Sequence, residues 1–306
     1  MILSPVWLPA SLLAGLFQAW RTALQQRLRS ELSVNGAGLV RYAYGLPVAA
    51  VLTVAYFTVR GLPWPAVDAA FVAWSAAGGL GQILATSLLI MAFGYRNFVV
   101  GTAFAKTEAI QAAVFAWLVL GETLGSMVIA GLVAGVAGVL VLALGGRQLK
   151  ALEVLGALRQ PVALCGLGAG ALFAVTGVLV KAATQQLDTG DLVGDALLTL
   201  TTVLVLQTAM LGGWVAWKEP GTWPRLIATW RTSGQVGLLA ALGSACWFTG
   251  FATAPVALVR VVGQVEVIFT LAFARFFLRE RTRPHEVLGL LLVAAGVVLA
   301  LLGTAR

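Results

Sequence analysis

The sequence predicts an all-α integral membrane protein of about ten transmembrane helices, arranged as two inverted five-helix repeats. Three observations carry this expectation: little charge, apolar runs of membrane-spanning length at regular intervals, and an internal repeat of fixed offset. Of the 306 residues, 60% are hydrophobic and 10% charged, whereas a soluble domain is about a quarter charged. A soluble chain with so few charges could not cover its own surface, so most of that surface must face lipid. A bilayer core about 30 Å thick needs roughly 20 apolar residues per helix.

The apolar runs read as spans over 6–27, 36–58, 69–92, 98–120, 126–144, 161–183, 191–217, 234–253, 256–277 and 285–303. Short connections separate them, such as Gly61-Leu62-Pro63, Gly145-Gly146 and Pro220-Gly221, and none is large enough for a soluble domain. Met1 to Phe17 has no basic residue before its apolar stretch, so it reads as a first membrane helix and not as a cleaved signal peptide. Trp7, Trp64, Trp214, Trp217, Trp223 and Trp230 fall near span ends, where interfacial anchors belong. Cys165 and Cys246 lie within apolar runs and read as small packing residues.

The net charge of +8 follows topology and implies no nucleic-acid partner. Loops after the odd-numbered spans carry Arg27, Arg29, Arg96, Arg147, Lys150, Arg159, Lys218, Arg225, Arg231, Arg279, Arg281 and Arg283. Only Arg60, Lys181 and Arg306 oppose them. The bias places the odd-numbered loops in the cytoplasm and both termini outside, in a bacterial-type inner membrane.

An offset of 158 aligns Glu108 with Glu266, Glu122 with Glu280, Gly131 with Gly289 and Gly138 with Gly296. The register runs without a gap across three spans. Five spans per repeat is an odd number, so the second copy must be upside down relative to the first. The domains expected are 1–146, a cytoplasmic linker over 147–160, and 161–306.

At this point the residues show a resemblance. Ala112-Ala113-Val114-Phe115-Ala116-Trp117-Leu118-Val119-Leu120-Gly121-Glu122 resembles the end of the fourth helix in EamA-type members of the drug/metabolite transporter superfamily. The glycine-spaced run from Gly131 to Gly145 resembles the fifth helix, and Phe269 to Glu280 and Gly289 to Gly303 repeat the pattern. Arg41 and Lys181 stand where that family often has an arginine and a lysine. The resemblance implies a ten-helix transporter whose halves enclose a cavity open to each side in turn. Ala109 and Val267 stand where the family often has proline, and Lys106 and Arg260 add charge to segments that are commonly apolar.

Arg21, Arg41, Lys106, Glu108, Arg260 and Glu266 fall inside predicted spans. Each would cost about 2.5–3.5 kcal/mol at mid-bilayer, so they must face a cavity or pair with one another. Arg275 lies near a span end and can snorkel. Ser11, Gln18, Arg21 and Gln25 share one face of span 1, either lining a cavity or bonding between helices. Glu108 and Gln111 share a face of span 4, and Lys106 points away from them. Arg260 and Gln264 share a face of span 9. The candidate substrate site therefore comprises Gln18, Arg21, Gln25, Arg41, Tyr44, Lys106, Glu108, Gln111, Arg260, Gln264 and Glu266. Its charges either bind substrate or form a closed network of ion pairs. Glu122 and Glu280 sit at helix ends as caps or gates. The glycine rows read as close helix packing.

A transporter of a small zwitterionic or anionic solute, such as an amino acid, fits this pattern, with proton-coupled export one mode of coupling. A lipid flippase of the same fold is the alternative, because excess cavity cations would receive a head group. An enzyme is not expected: His285 is the single histidine, and no His/Cys/Asp cluster is present. No metal, haem or nucleotide motif appears, so no cofactor is expected. Membrane lipid and the solute are the expected partners, for a monomer or homodimer.

Overall fold

A computed structural model describes residues 4–28, 31–94, 104–143, 161–187, 189–277 and 284–304. The described residues form helices and turns without a strand. The helices are α1 (Trp7–Leu28), α2 (Val34–Ala43), α3 (Gly45–Arg60), α4 (Ala69–Gly94), α5 (Glu108–Leu120), α6 (Ser126–Ala143) and α7 (Pro161–Thr184). They continue as α8 (Leu192–Lys218), α9 (Thr222–Ala228), α10 (Trp230–Thr253), α11 (Val256–Gly263), α12 (Glu266–Phe277) and α13 (Pro284–Thr304). Among the described residues, six helical segments are long and apolar enough to cross a membrane: 34–60, 69–92, 161–184, 192–218, 230–253 and 287–304. The chain is thus an all-α, multi-pass membrane protein.

Several expectations meet differences. α1 is not among those six segments, because Gln18, Arg21, Gln25 and Gln26 dilute its apolar residues. Expected span 9 is divided into α11 and α12, and in expected span 4 the helix is interrupted at Lys106-Thr107 before α5. Lys181, counted with the loops, is instead buried within α7, where its ammonium donates to Ala254 O at 2.7 Å. Trp7 is buried and packs inside the protein, whereas Trp64, Trp214, Trp217 and Trp230 are exposed. The linker 147–160, Glu280 and most of the basic odd-numbered loops lie outside the described residues, as does the side chain of Arg275.

Two compact units form, and each draws on both halves of the sequence. The first comprises Met1–Ile83 and Thr176–Ala254. Within it, α2–α3 covers residues 34–60 and α8 covers 192–218, each 27 residues long and separated by the same offset of 158. They run antiparallel, and both ends are tied.

At one end Ser33 caps α2, accepting from Gly36 N at 3.0 Å, and its hydroxyl donates to the Glu219 carboxylate after α8. Asn35 and Thr222 also donate to Glu219, at 2.7 and 3.3 Å. The Ser33 bond, aided by Asn35 and Thr222, holds the carboxyl below its ordinary range against the opposing effect of burial. At the other end Asp191 caps α8, accepting from Val193 N and Gly194 N. It also accepts from Tyr56 Oη and Arg60 Nη2, both at 3.2 Å, at the end of α3. Burial pushes the Asp191 carboxyl up, but the Gly194, Tyr56 and Arg60 bonds outweigh it and hold the group low. Between the ties, Thr53 Oγ1 donates to Leu197 O at 3.0 Å and lies 2.8 Å from Thr201 Oγ1.

The second unit comprises Leu84–Val175 and Pro255–Arg306. Its spine is the α6–α13 pair. A Cβ on Gly131 would lie 2.5 Å from Gly296 O, and one on Gly138 would lie 2.7 Å from Gly289 O. The contacts run in opposite directions along the two helices, so the pair is antiparallel. Each glycine faces the repeat counterpart of the other. Only hydrogen fits there, and the backbones approach as small-residue packing in lipid requires.

Candidate charged site

The site is built on two interruptions at equivalent positions in the second unit. Residues 106–107 precede α5 and residues 264–265 precede α12, again 158 apart. Neither interruption uses proline. Thr107 N bonds to Phe104 O, and Gln264 N bonds to Val261 O, which are i→i−3 bonds that tighten the turn. The Thr107 hydroxyl also donates to Phe104 O at 2.6 Å and accepts from Gln111 Nε2 at 2.8 Å. Each break makes a glutamate the first residue of the helix that follows, Glu108 in α5 and Glu266 in α12. A carboxylate there complements the positive end of the helix dipole.

Two crossed ion pairs follow. Arg260 Nη1 lies 3.3 Å from Glu108 Oε1, and Lys106 Nζ lies 3.3 Å from Glu266 Oε2. Arg260 Nη2 also donates to Phe173 O in α7 at 3.0 Å. The four side chains retain 10–29% of their exposure, so the pairs are largely out of water. Two cations and two carboxylates cancel, leaving a site with strong local fields and no formal net charge. Gln264 lies between Arg260 and Glu266 in sequence, against Gly135, where a Cβ would collide with its carboxamide. Both the oxygen and the nitrogen of that amide are buried without a hydrogen-bond partner among the described residues. Each unmade bond costs about 1–3 kcal/mol.

The other candidates lie in the first unit. Gln18 Oε1 accepts from Trp247 Nε1 at 3.0 Å, linking α1 to α10, and Ser11 bonds back to Trp7 O within α1. Arg21 lies partly buried in α1, and Arg41 is buried in α2. Tyr44, at the α2–α3 junction, donates to Leu226 O of α9 at 2.8 Å. The side chain of Gln25 lies outside the described residues. Lys106, Glu108, Arg260 and Glu266 are therefore joined by ion pairs, with Gln111 and Gln264 at the two turns beside them.

Sequence reasoning missed the carbonyl of Phe173, the Thr107 turn and both ties of the first unit. The ties had a signal, since the offset of 158 also relates Ser33 to Asp191, two cap-forming residues before equal apolar runs. Glu122 is also resolved: its Oε2 accepts from Val256 N at 2.9 Å and caps α11, whose own cap position is Pro255.

The fold and this composition define a multi-pass helical membrane protein. Residues 160–302, a little under half of the chain, match the model of the EamA-like transporter family. No curated protein matches the sequence. Solved structures do match; one crystal structure of a protein superposes with a TM-score of 0.68 at 17% identity. The match covers 97% of this chain and 94% of the other, and shows a shared fold.

Proposed function

We propose that the protein is a secondary transporter that moves a small zwitterionic or anionic solute, of the amino-acid kind, across a bacterial-type inner membrane by alternating access. The scaffold of this reading is ten membrane helices in two inverted halves, 1–146 and 161–306. The equal offset of α2–α3 and α8, and the reciprocal glycine contacts of the antiparallel α6 and α13, support it.

The observation that carries the function is the crossed, charge-neutral pair of ion pairs beside a buried amide with no partner among the described residues. A zwitterion brings a cation and an anion together. It exchanges partners with such a site without leaving a charge unmatched, and its polar groups satisfy Gln264. Proton-coupled export, exchange and facilitated diffusion all use the same site. Arg21, Gln18, Gln25, Arg41 and Tyr44 belong to this proposal as further cavity residues.

The test is thermal stability of the purified protein against amino acids, organic acids, sugar phosphates, nucleotides and lipid head groups. A ligand at 100 times its Kd stabilises the folded state by about 2.7 kcal/mol. A saturable shift with one soluble class, abolished by Glu108→Gln, supports the proposal. Shifts with lipids alone that Glu108→Gln abolishes favour a flippase, and no shift with any class makes the ion pairs scaffold.

A further inference from the structure

The surface around α9 points to a lipid partner independent of the solute site. α8 ends in Trp214, Trp217 and Lys218, and α10 begins with Trp230 and Arg231. α9 between them buries Thr222 and Leu226, and Tyr44 holds the Leu226 carbonyl. Ile227 and Arg225 remain exposed on the same short helix. Trp217 is 70% exposed and Trp230 60%. Lys218 Nζ stands 3.6 Å from the centre of the Trp217 ring, and the Arg231 guanidinium 5.5 Å from that of Trp230.

Charge is distributed unevenly at this end. Glu219 is turned inward by Ser33, Asn35 and Thr222, so it does not neutralise the exposed cations. Glu31 is the opposing acid, across a shallow depression of about 400 Å³ that Trp230 and Arg231 also line. Among the described residues, three cations thus face outward here against the Glu31 carboxylate. At the other end of α8, Asp191 receives Arg60.

We propose that Lys218, Arg225 and Arg231, set among Trp214, Trp217, Ile227 and Trp230, bind the phosphates of anionic phospholipids at the membrane surface. Indole rings settle at head-group depth, and basic residues there engage anionic lipid. The cation–π contact keeps Lys218 beside the ring that enters the interface. Lipid here is a bound surface partner and not the transported solute.

The experiment titrates the purified protein with phosphatidylglycerol or phosphatidylcholine of matched chains, counting retained lipids by native mass spectrometry. Preferential retention of phosphatidylglycerol is expected. Lys218→Gln, Arg225→Gln and Arg231→Gln should each weaken it about fivefold, leaving phosphatidylcholine unchanged. Because these side chains are exposed, each single variant keeps the fold and tests the proposal by itself. Equal retention of both lipids, or a preference that survives all three substitutions, overturns it. So does competition by free glycerol 3-phosphate at the same concentration, which would mark a soluble-anion site. Glu108→Gln should leave this preference intact, so the outcome is separate from that of the solute screen.

Discussion

Glu108 and Glu266, 158 residues apart, each open a helix after an interruption, and each is held by a cation from the other half of the sequence. Arg260 reaches back to Glu108, and Lys106 reaches forward to Glu266. The acids obey the repeat and the cations do not: the counterpart of Lys106 is Gln264. That asymmetry leaves an amide where a second ammonium would have stood, and keeps the site neutral.

Removing one member of a pair should destabilise more than removing both. Glu266→Gln leaves Lys106 largely buried without its paired carboxylate, at a cost of about 1–3 kcal/mol, below the full cost for a dry pair. Adding Lys106→Gln should recover about 1 kcal/mol. A double-mutant cycle on thermal unfolding measures this coupling, and additive losses would remove the pair from the stability of the unit.

Gly138→Leu should be severe. A side chain there meets the Gly289 carbonyl and forces α6 from α13, at a cost of several kcal/mol. Gly213→Ala, in α8 with open space around it, should instead stabilise by about 0.5–1 kcal/mol. Melting temperatures of the two variants should move in opposite directions.

The ties of Asp191 and Glu219 predict a pH dependence. Both carboxyls titrate below their ordinary values of 3.8 and 4.5. Their stabilisation is present above those values and disappears as pH falls through the lowered ones. The melting temperature of the native protein should exceed that of Asp191→Asn/Glu219→Gln by a constant margin above about pH 6. The margin should shrink toward zero below pH 4, and a margin independent of pH would contradict the ties.

Glu122→Ala should lower stability by about 1 kcal/mol, because Val256 N loses its acceptor at the start of α11. Glu122→Gln keeps an oxygen at that position and should lose less. Equal losses in thermal unfolding would show that the charge, and not the cap, is what counts.

Much of the helical layout was legible in the sequence. The expected run 69–92 matches α4 over 69–94, and the run 161–183 matches α7 over 161–184. Hydropathy is a local property and reports where backbone must satisfy itself in lipid. The interruptions were not legible, because Lys106-Thr107 and Gln264-Val265 contain no proline and their turns are closed by short-range bonds. Hydropathy also placed Lys181 and Trp7 at span ends, whereas packing buried them.

The sequence by itself determined the all-α membrane class, the offset of 158 and the presence of two acids and several cations in apolar surroundings, since charge in lipid requires a partner. Only the tertiary structure decided that Arg260 takes Glu108 and Lys106 takes Glu266, that Tyr44 is held by α9, and that Gln264 is left beside them. Partner choice depends on which helices lie within about 4 Å of a side-chain tip, and spacing along a single helix carries no information about its neighbours.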